Sequence, residues 1–296
     1  MANLVEQVAP WAPDPARMRG LVSRTPLLSQ RHPVMFPLAV WVNRTKRRAQ
    51  WLLSDASWTT RRVSENLEVQ ILEHRSPLLR RLGESEMYLQ HNKVTNLALA
   101  SAKMDGLLIC PGETFSFNKV VGSCTRRGGY LDGMRLSHGE TVAGVGGGIC
   151  QLSNVVHWLV LHSSLTVTER SEHSFDPFPD SDRVVPWGTG CTIVYNYVDL
   201  QVRNDTDSTF QLRVSVSDRF LEGDLRADRA QPLTYHVYAA NERFYRLGSD
   251  LFRANQIWRT VTDSRTGERL GEELVRSNCA LVKYLPKGAP IQDLAG

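Results

Sequence analysis

The stretch GVGGGICQLSNVVHW, residues 144–158, decides how the fold of this chain is predicted. A glycine-rich run ends at Cys150, and the apolar segment ICQLSNVVHWLVLHS, residues 149–163, begins at the same point. Apolar residues surround almost the whole circumference of a helix drawn through this segment, which is typical of a helix buried in a protein core. We therefore predict a central buried helix with a cysteine in its first turn.

The flanking segments predict sheets around that helix. Residues 93–106 have the pattern of a helix ending at Gly106, and residues 107–117 that of two short strands joined by a turn. From about residue 190 the period changes to two, as in Phe210–Val216, where apolar and polar residues alternate. Further strands are predicted within residues 232–240, 250–262 and 269–285, with a hairpin turn at residues 264–267. The expected class is α+β, with the central helix packed on a mixed or antiparallel sheet and an antiparallel β region at the C-terminus.

Three regions are expected along the chain. Residues 1–84 form a basic, mainly helical arm that starts irregularly, residues 85–200 hold the glycine-rich loop and the buried helix, and residues 201–296 form the C-terminal antiparallel β region. In the arm, apolar residues recur at helical spacing, with basic residues mainly on the other faces: Leu38, Trp41, Val42, Thr45, Ala49 and Leu52. Either a helix docked on the domain or a helix lying on a membrane surface through residues 38–53 fits this pattern, and docking is the commoner case.

Composition excludes several classes of function. The 296 residues carry a net charge of only +4 and show no basic stripe with interleaved aromatic residues, so no nucleic-acid partner is expected. The five cysteines include no Cys-x-x-Cys pair, which argues against a disulfide framework and a zinc ribbon, and neither a metal nor a cofactor is predicted. The first 20 residues lack the features of a signal peptide. We therefore expect a cytoplasmic protein, with peripheral membrane contact as the alternative.

The cysteine before the buried helix indicates thiol chemistry. Gly146, Gly147 and Gly148 can adopt positive φ and allow a ligand close to the main chain. N–H groups in the first turn of a helix, together with its dipole, favour negative charge and can lower a cysteine pKa into the range of about 3.5–7.5. The same N–H groups could hold an oxyanion. The pattern predicts a reactive thiolate at Cys150, although a chance cysteine after a glycine-rich loop gives the same pattern.

A thiol nucleophile also requires a base. His157 lies two helical turns after Cys150 on the same helix, so its ring is not expected to reach back. His173 follows the helix and could return beside its start. The remaining histidine candidates are His138 and His162, and the acids that could orient the base are Asp176, Asp180 and Asp199.

Four motifs in this order resemble the VanW family, which is named for the accessory protein of B-type vancomycin resistance gene clusters. They are PGETFSFNKVVG at 111–122, GGGICQLSN at 146–154, LTVTERSEHS at 165–174 and DLQVRNDTD at 199–207. The resemblance covers roughly residues 85–285.

The resemblance implies a glycopeptide-resistance accessory protein that acts as a cysteine-dependent acyltransferase of the L,D-transpeptidase type on peptidoglycan stem peptides or their precursors. Cys150 would be the nucleophile and His173 the base, with the substrate held by Gly146, Gly147, Gly148, Gln151 and Asn154. The alternative is a non-catalytic protein that binds a wall precursor or a resistance enzyme.

One departure from the family pattern bears on this chemistry. Members usually carry Gly-x-Asp-Ala-Thr before a strand, whereas this chain has Gly188-Thr189-Gly190-Cys191-Thr192. If the family aspartate orients the histidine, Gly190 leaves this chain without it.

Overall fold

The computed structural model describes residues 8–22, 35–79, 87–137, 140–172, 175–176, 184–286 and 288–294. Within these residues helices pack on mixed and antiparallel sheets, which confirms the predicted α+β class. No helix in these ranges is both long enough and apolar enough to cross a membrane.

The described residues contain five α-helices, of which the second, third and fifth lie close to predicted positions. They are α1 (Pro15–Val22), α2 (Met35–Leu53), α3 (Met87–Ala102), α4 (Phe117–Val121) and α5 (Cys150–Leu161). The predicted buried helix is α5, and it begins at Cys150 itself. Two predictions are corrected: α1 lies in the part of the arm expected to be irregular, and α3 ends four residues before Gly106. The chain turns there because Gly106, at a φ of +76°, donates its N–H to the carbonyl of Leu212 at 2.9 Å.

The strands of the described residues form four sheets. The first has the order β1 (Ser57–Trp58), β4 (Glu113–Ser116), β9 (Gln201–Arg203) and β7 (Thr166–Glu169). The second has the order β2 (Val69–Pro77), β11 (Phe220–Ala227), β10 (Phe210–Val216) and β3 (Leu107–Ile109). The third has the order β15 (Ile291–Asp293), β12 (Leu233–Leu247), β13 (Asp250–Asp263), β14 (Arg269–Val282) and β8 (Phe175–Asp176), and the fourth is the hairpin of β5 (Asp132–Ser137) and β6 (Glu140–Val145).

The main core lies between α5 and the second sheet. The helix buries Leu152, Val155, Val156, Leu159 and Val160. It approaches β11 closely at Gly223, where an added Cβ would lie 2.4 Å from Val155 Cγ1. A glycine is therefore needed on the strand so that the apolar helix can pack closely on the sheet.

The predicted C-terminal strands are confirmed. Strands β12, β13 and β14 form an antiparallel meander, and the predicted hairpin turn connects the last two through a hydrogen bond from Asp263 N–H to the carbonyl of Glu268. Strands β10 and β11 follow residue 200 but pair with β3 and β2, which precede it. The predicted regions thus share a core, and their boundaries stay a prediction.

Helix α2 docks on the protein through the side opposite to its apolar stripe. Its partly buried side chains are Ala39, Val40, Arg44, Arg47 and Trp51, whereas the residues of the predicted stripe are exposed. Arg47 forms a bidentate ion pair with Glu169 of β7, with Nη1 2.7 Å from Oε2 and Nη2 2.5 Å from Oε1. Arg44 donates to the carbonyl of Tyr195 at 3.1 Å. The helix and its docking are confirmed, and the side that docks is not the apolar stripe, because Arg44 and Arg47 bind partly buried partners on the protein.

Candidate functional site

The glycine-rich turn before α5 is packed against protein on several sides. Gly146 and Gly148 have φ values of +74° and +88°, as predicted, whereas Gly147 does not have a positive φ. A Cβ on Gly147 would lie 2.1 Å from the carbonyl oxygen of Gly133, so two main chains touch at this point. A Cβ on Gly146 would meet Cys124, and one on Gly148 would meet the aliphatic part of Lys93. The glycines therefore admit neighbouring parts of the chain, and contact of their main chain with a substrate stays a prediction.

Helix α3 clamps this turn through a buried asparagine that the sequence reasoning missed. Asn96 Nδ2 donates to the carbonyls of Leu131 and Gly147, both at 3.0 Å, while its Oδ1 accepts from the N–H of Leu131 at 2.8 Å. One turn earlier, Asn92 donates to the carbonyl of Asp132 at 2.9 Å. The signal in the sequence is the four-residue spacing of two asparagines, one inside and one directly before the predicted helix.

Cys150 is partly buried at the first position of α5. Burial raises the pKa of its thiol, while the backbone N–H groups of Ile193 and of Cys150 itself, and the positive charge of Arg135, act in the opposite direction. The expectation of a lowered pKa is therefore wrong for the protein without substrate. The cost of burying a charged sulfur exceeds what these donors and the helix start contribute.

The first-turn amides are only partly free to bind an oxyanion. Gln151 donates its N–H to the carbonyl of Gly148 at 3.1 Å, and Leu152 donates to that of Ile149 at 2.9 Å. The amides of Cys150 and Ile193 are backbone groups that favour negative charge on the sulfur. Any oxyanion site here would therefore combine the helix start with a segment about 40 residues later in the chain.

That later segment, residues 186–193, lies along α5 and is held there by three side chains of the helix and by Arg170. Asn154 accepts the N–H of Cys191 at 2.6 Å, and Ser153 donates its hydroxyl to the carbonyl of the same residue at 2.9 Å. His157 donates from Nδ1 to the carbonyl of Thr189 at 2.8 Å. The guanidinium of Arg170 donates to the carbonyl of Gly190 at 3.0 Å through Nε. Four polar groups thus hold the main chain of residues 189–191, which leads directly to Ile193.

The two polar residues expected to hold a substrate are engaged within the protein. Gln151 donates from Nε2 to the hydroxyl of Ser76 at 2.9 Å and to the carbonyl of Pro77 at 2.8 Å. Asn154 holds the main chain at Cys191, as described above. Both residues shape the neighbourhood of Cys150, and their contact with a substrate stays a prediction.

The candidate bases differ in their surroundings. His173 and His138 lie outside the described residues, so the role of His173 stays a prediction. His157 is buried, and burial lowers its pKa to about 3, which keeps the ring neutral and in a structural role. The ring of His162 is bound at Nδ1 to the carbonyl of Trp158 near the other end of α5.

The candidate acids are also occupied elsewhere. Asp199 accepts the hydroxyl of Ser116 at 2.5 Å and the N–H of Asn118 at 2.9 Å at the start of α4. Asp176 pairs with Arg253 at 3.2 Å in the third sheet. Asp180 lies outside the described residues. Across the described part of the chain, no group of three or more His, Cys, Asp or Glu side chains is arranged to hold a metal ion.

The model of the family described as "VanW like protein" matches residues 92–226, which include Cys150 and every hydrogen bond from α5 to the 186–193 segment. The chain is 35% identical to the vancomycin B-type resistance protein VanW of Enterococcus faecalis over 209 residues, covering 70% of this chain and 76% of that protein. It is 34% identical to the uncharacterized protein YoaR of Bacillus subtilis over 132 residues, covering 43% of each chain. No solved structure matches the chain.

Proposed function

Because this chain belongs to the VanW family, we propose that it shares the association with vancomycin resistance that its Enterococcus faecalis relative carries in its name. The finer part of the proposal is a Cys150-dependent acyl transfer on peptidoglycan stem peptides, in which a diamino-acid residue is separated from a terminal D-amino acid.

One observation carries the chemical part. Two backbone N–H groups, from Ile193 and Cys150, and the charge of Arg135 all favour negative charge on the sulfur at the start of α5. Donors fixed in this way can stabilise a thiolate and, once it has attacked a carbonyl, the oxyanion that follows. Because burial keeps the resting thiol protonated, a base has to take the proton when the substrate is bound.

His173 is the residue to which we assign that base. The N–H of Thr192 donates to the carbonyl of Ser171 at 2.8 Å, and the N–H of the next residue, Ile193, favours negative charge on the sulfur. The described chain two residues before His173 therefore runs beside the segment that reaches Cys150. This neighbourhood supports the assignment.

The reaction proceeds in two balanced steps. His173 takes the thiol proton of Cys150 as the sulfur attacks the carbonyl carbon of the diamino acid. The C–N bond to the terminal D-amino acid breaks, its amine leaves with the proton, and a thioester remains. The amine of a second stem, or water, then attacks the thioester, and the thiol is regenerated with the proton that the attacking group loses.

The test uses a stem tetrapeptide ending in a diamino acid followed by D-alanine. The expected result is release of D-alanine and an acyl-enzyme mass on the intact protein, both abolished in Cys150→Ser and His173→Gln. Cys110→Ser is the matched control, because Cys110 is likewise partly buried with a raised pKa, and this variant keeps the activity. Activity that persists in Cys150→Ser would overturn the acyl-transfer proposal.

A second candidate function is non-catalytic binding of a wall precursor or a resistance enzyme. It is favoured by the raised pKa of Cys150 and by Gly190 standing where the family pattern has an aspartate. In a host whose glycopeptide resistance depends on this chain, this function predicts that Cys150→Ser leaves the resistance unchanged. Loss of resistance in a stably folded Cys150→Ser protein would contradict it.

A further inference from the structure

Helix α2 presents a continuous apolar stripe to solvent. Leu38, Trp41, Thr45, Ala49 and Leu52 follow one another at helical spacing along one side of the helix, and all are exposed. Trp41 is 64% exposed and Leu52 is 85% exposed. Other large apolar side chains exposed on the same helix are Met35, Phe36, Val42 and Leu53. An exposed apolar patch of this size marks an interaction site.

The orientation of the stripe is fixed by contacts on the opposite side. Besides the ion pair of Arg47 with Glu169, the guanidinium of Arg44 lies 5.4 Å from the ring centre of Tyr195. Near the end of the helix, the ammonium group of Lys119 lies 4.6 Å from the ring centre of Trp51. The helix cannot turn its apolar side inward without losing all three contacts.

The basic residues beside the stripe indicate what kind of surface it binds. Lys46 and Arg48 are exposed and flank the stripe on its two sides, and α2 contains no acidic residue. Long basic side chains beside an apolar stripe can extend toward anionic headgroups while the stripe enters the boundary of the acyl chains. A second copy packed on the same face would bring basic side chains together with no acid on the helix to pair them.

We propose that the exposed stripe of α2 binds an anionic phospholipid surface, with the helix lying in the plane of the membrane. Trp41, near the middle of the stripe, has the amphipathic ring that is enriched at membrane interfaces. This inference goes beyond the proposed function and does not depend on any chemistry at Cys150.

The test is sedimentation of the full chain with vesicles of phosphatidylcholine alone or mixed with phosphatidylglycerol. The chain is expected to bind the anionic vesicles, and the binding weakens as salt increases. Leu52→Ser and Trp41→Ser each weaken it by about tenfold or more, because each removes one large apolar side chain that the proposal places in the membrane. The charge reversal Lys46→Glu/Arg48→Glu also weakens it.

Leu285→Ser is the matched control, since Leu285 is 83% exposed but lies outside α2, and it keeps wild-type binding. Absence of binding to anionic vesicles, or equal binding by wild type and Leu52→Ser, would overturn the proposal. A concentration-dependent dimer that Leu52→Ser dissociates would also overturn it, because the stripe would then be an interface between two copies.

Discussion

At the scale of single residues, His157 shows how α5 holds the segment beside Cys150. Its ring is buried and donates to the carbonyl of Thr189. Burial, followed by the nearby charge of Arg170, lowers its pKa to about 3. The ring is therefore neutral at neutral pH, and protonating it in acid works against the folded state.

The depressed pKa of His157 makes a pH-dependent contribution to stability. This contribution is complete above the unfolded-state pKa of about 6.5 and is lost as pH falls toward the folded-state value of about 3. Between about pH 7.5 and pH 4.5 the wild type should lose about 2 to 3 kcal/mol more free energy of unfolding than His157→Asn, since each pKa unit is worth about 1.4 kcal/mol. Urea unfolding at the two pH values measures this difference, and equal acid losses in the two proteins would contradict it.

The sequence predicted where Cys150 lies but not how readily it ionises. Its place at the first turn follows from the glycine run and the apolar segment, which are local features. The raised pKa depends on burial, which sequence position does not reveal. Likewise, the partner of Asn154 at Cys191 lies 37 residues away, so nothing local identifies it.

At the scale of elements, α3 positions the glycine-rich turn through Asn96. Its side chain makes three hydrogen bonds, to the main chain of Leu131 and Gly147, and it is completely buried. Removing it takes a hydrogen bond from the carbonyl of Gly147 and from the N–H of Leu131, whereas the carbonyl of Leu131 still accepts the N–H of Gly146 at 2.9 Å. A main-chain group that loses its partner inside the protein is costly because it keeps its desolvation penalty.

We expect Asn96→Ala to lower the free energy of unfolding by about 2 to 4 kcal/mol, because a buried side chain loses its three hydrogen bonds. Asn92→Ala, on the same helix, removes the hydrogen bond from Asn92 to the carbonyl of Asp132 and should cost only about 1 kcal/mol. Denaturant unfolding of both variants makes the comparison. Similar losses would show that the clamp at Asn96 does not stabilise the turn.

Helix α2 shows that an amphipathic pattern predicts a helix but not which side of it meets the protein. The spacing of its apolar residues correctly predicted a helix, now observed from Met35 to Leu53. A pattern does not say which side meets the protein, because that depends on partners such as Glu169, which is distant in the sequence. The same local information predicted α5 and β10 well, since both are buried in the common core.

At the scale of the whole molecule, the third sheet supports the segment that reaches Cys150. Asn255 on β13 donates to the carbonyl of Trp187 at 2.7 Å, and Asn278 on β14 donates to Asn255 at 2.9 Å. Gly188 packs directly on this pair, where an added Cβ would lie 2.2 Å from Asn278 Nδ2. The C-terminal strands therefore help to place the amide of Ile193, although they lie far from α5 in sequence.

Gly188→Ala tests this support. We expect it to lower the free energy of unfolding by about 1 to 3 kcal/mol more than Gly267→Ala, because of the added clash. Both glycines have positive φ, at +91° and +72°, but Gly267 has no atom within 4 Å of an added Cβ. Denaturant unfolding measures both variants, and equal losses would mean that the contact with Asn278 gives way without cost.

Finally, the ammonium group of Lys119 lies 4.6 Å from the ring centres of both Trp51 and Trp58. One charge thus joins the end of α2 to β1. Indole emission responds to a nearby charge, so these two of the chain's seven tryptophans form an intrinsic optical reporter. Detachment of α2 should therefore change the tryptophan emission without any attached dye. The part of the emission that reports it is the part that Lys119→Met also changes.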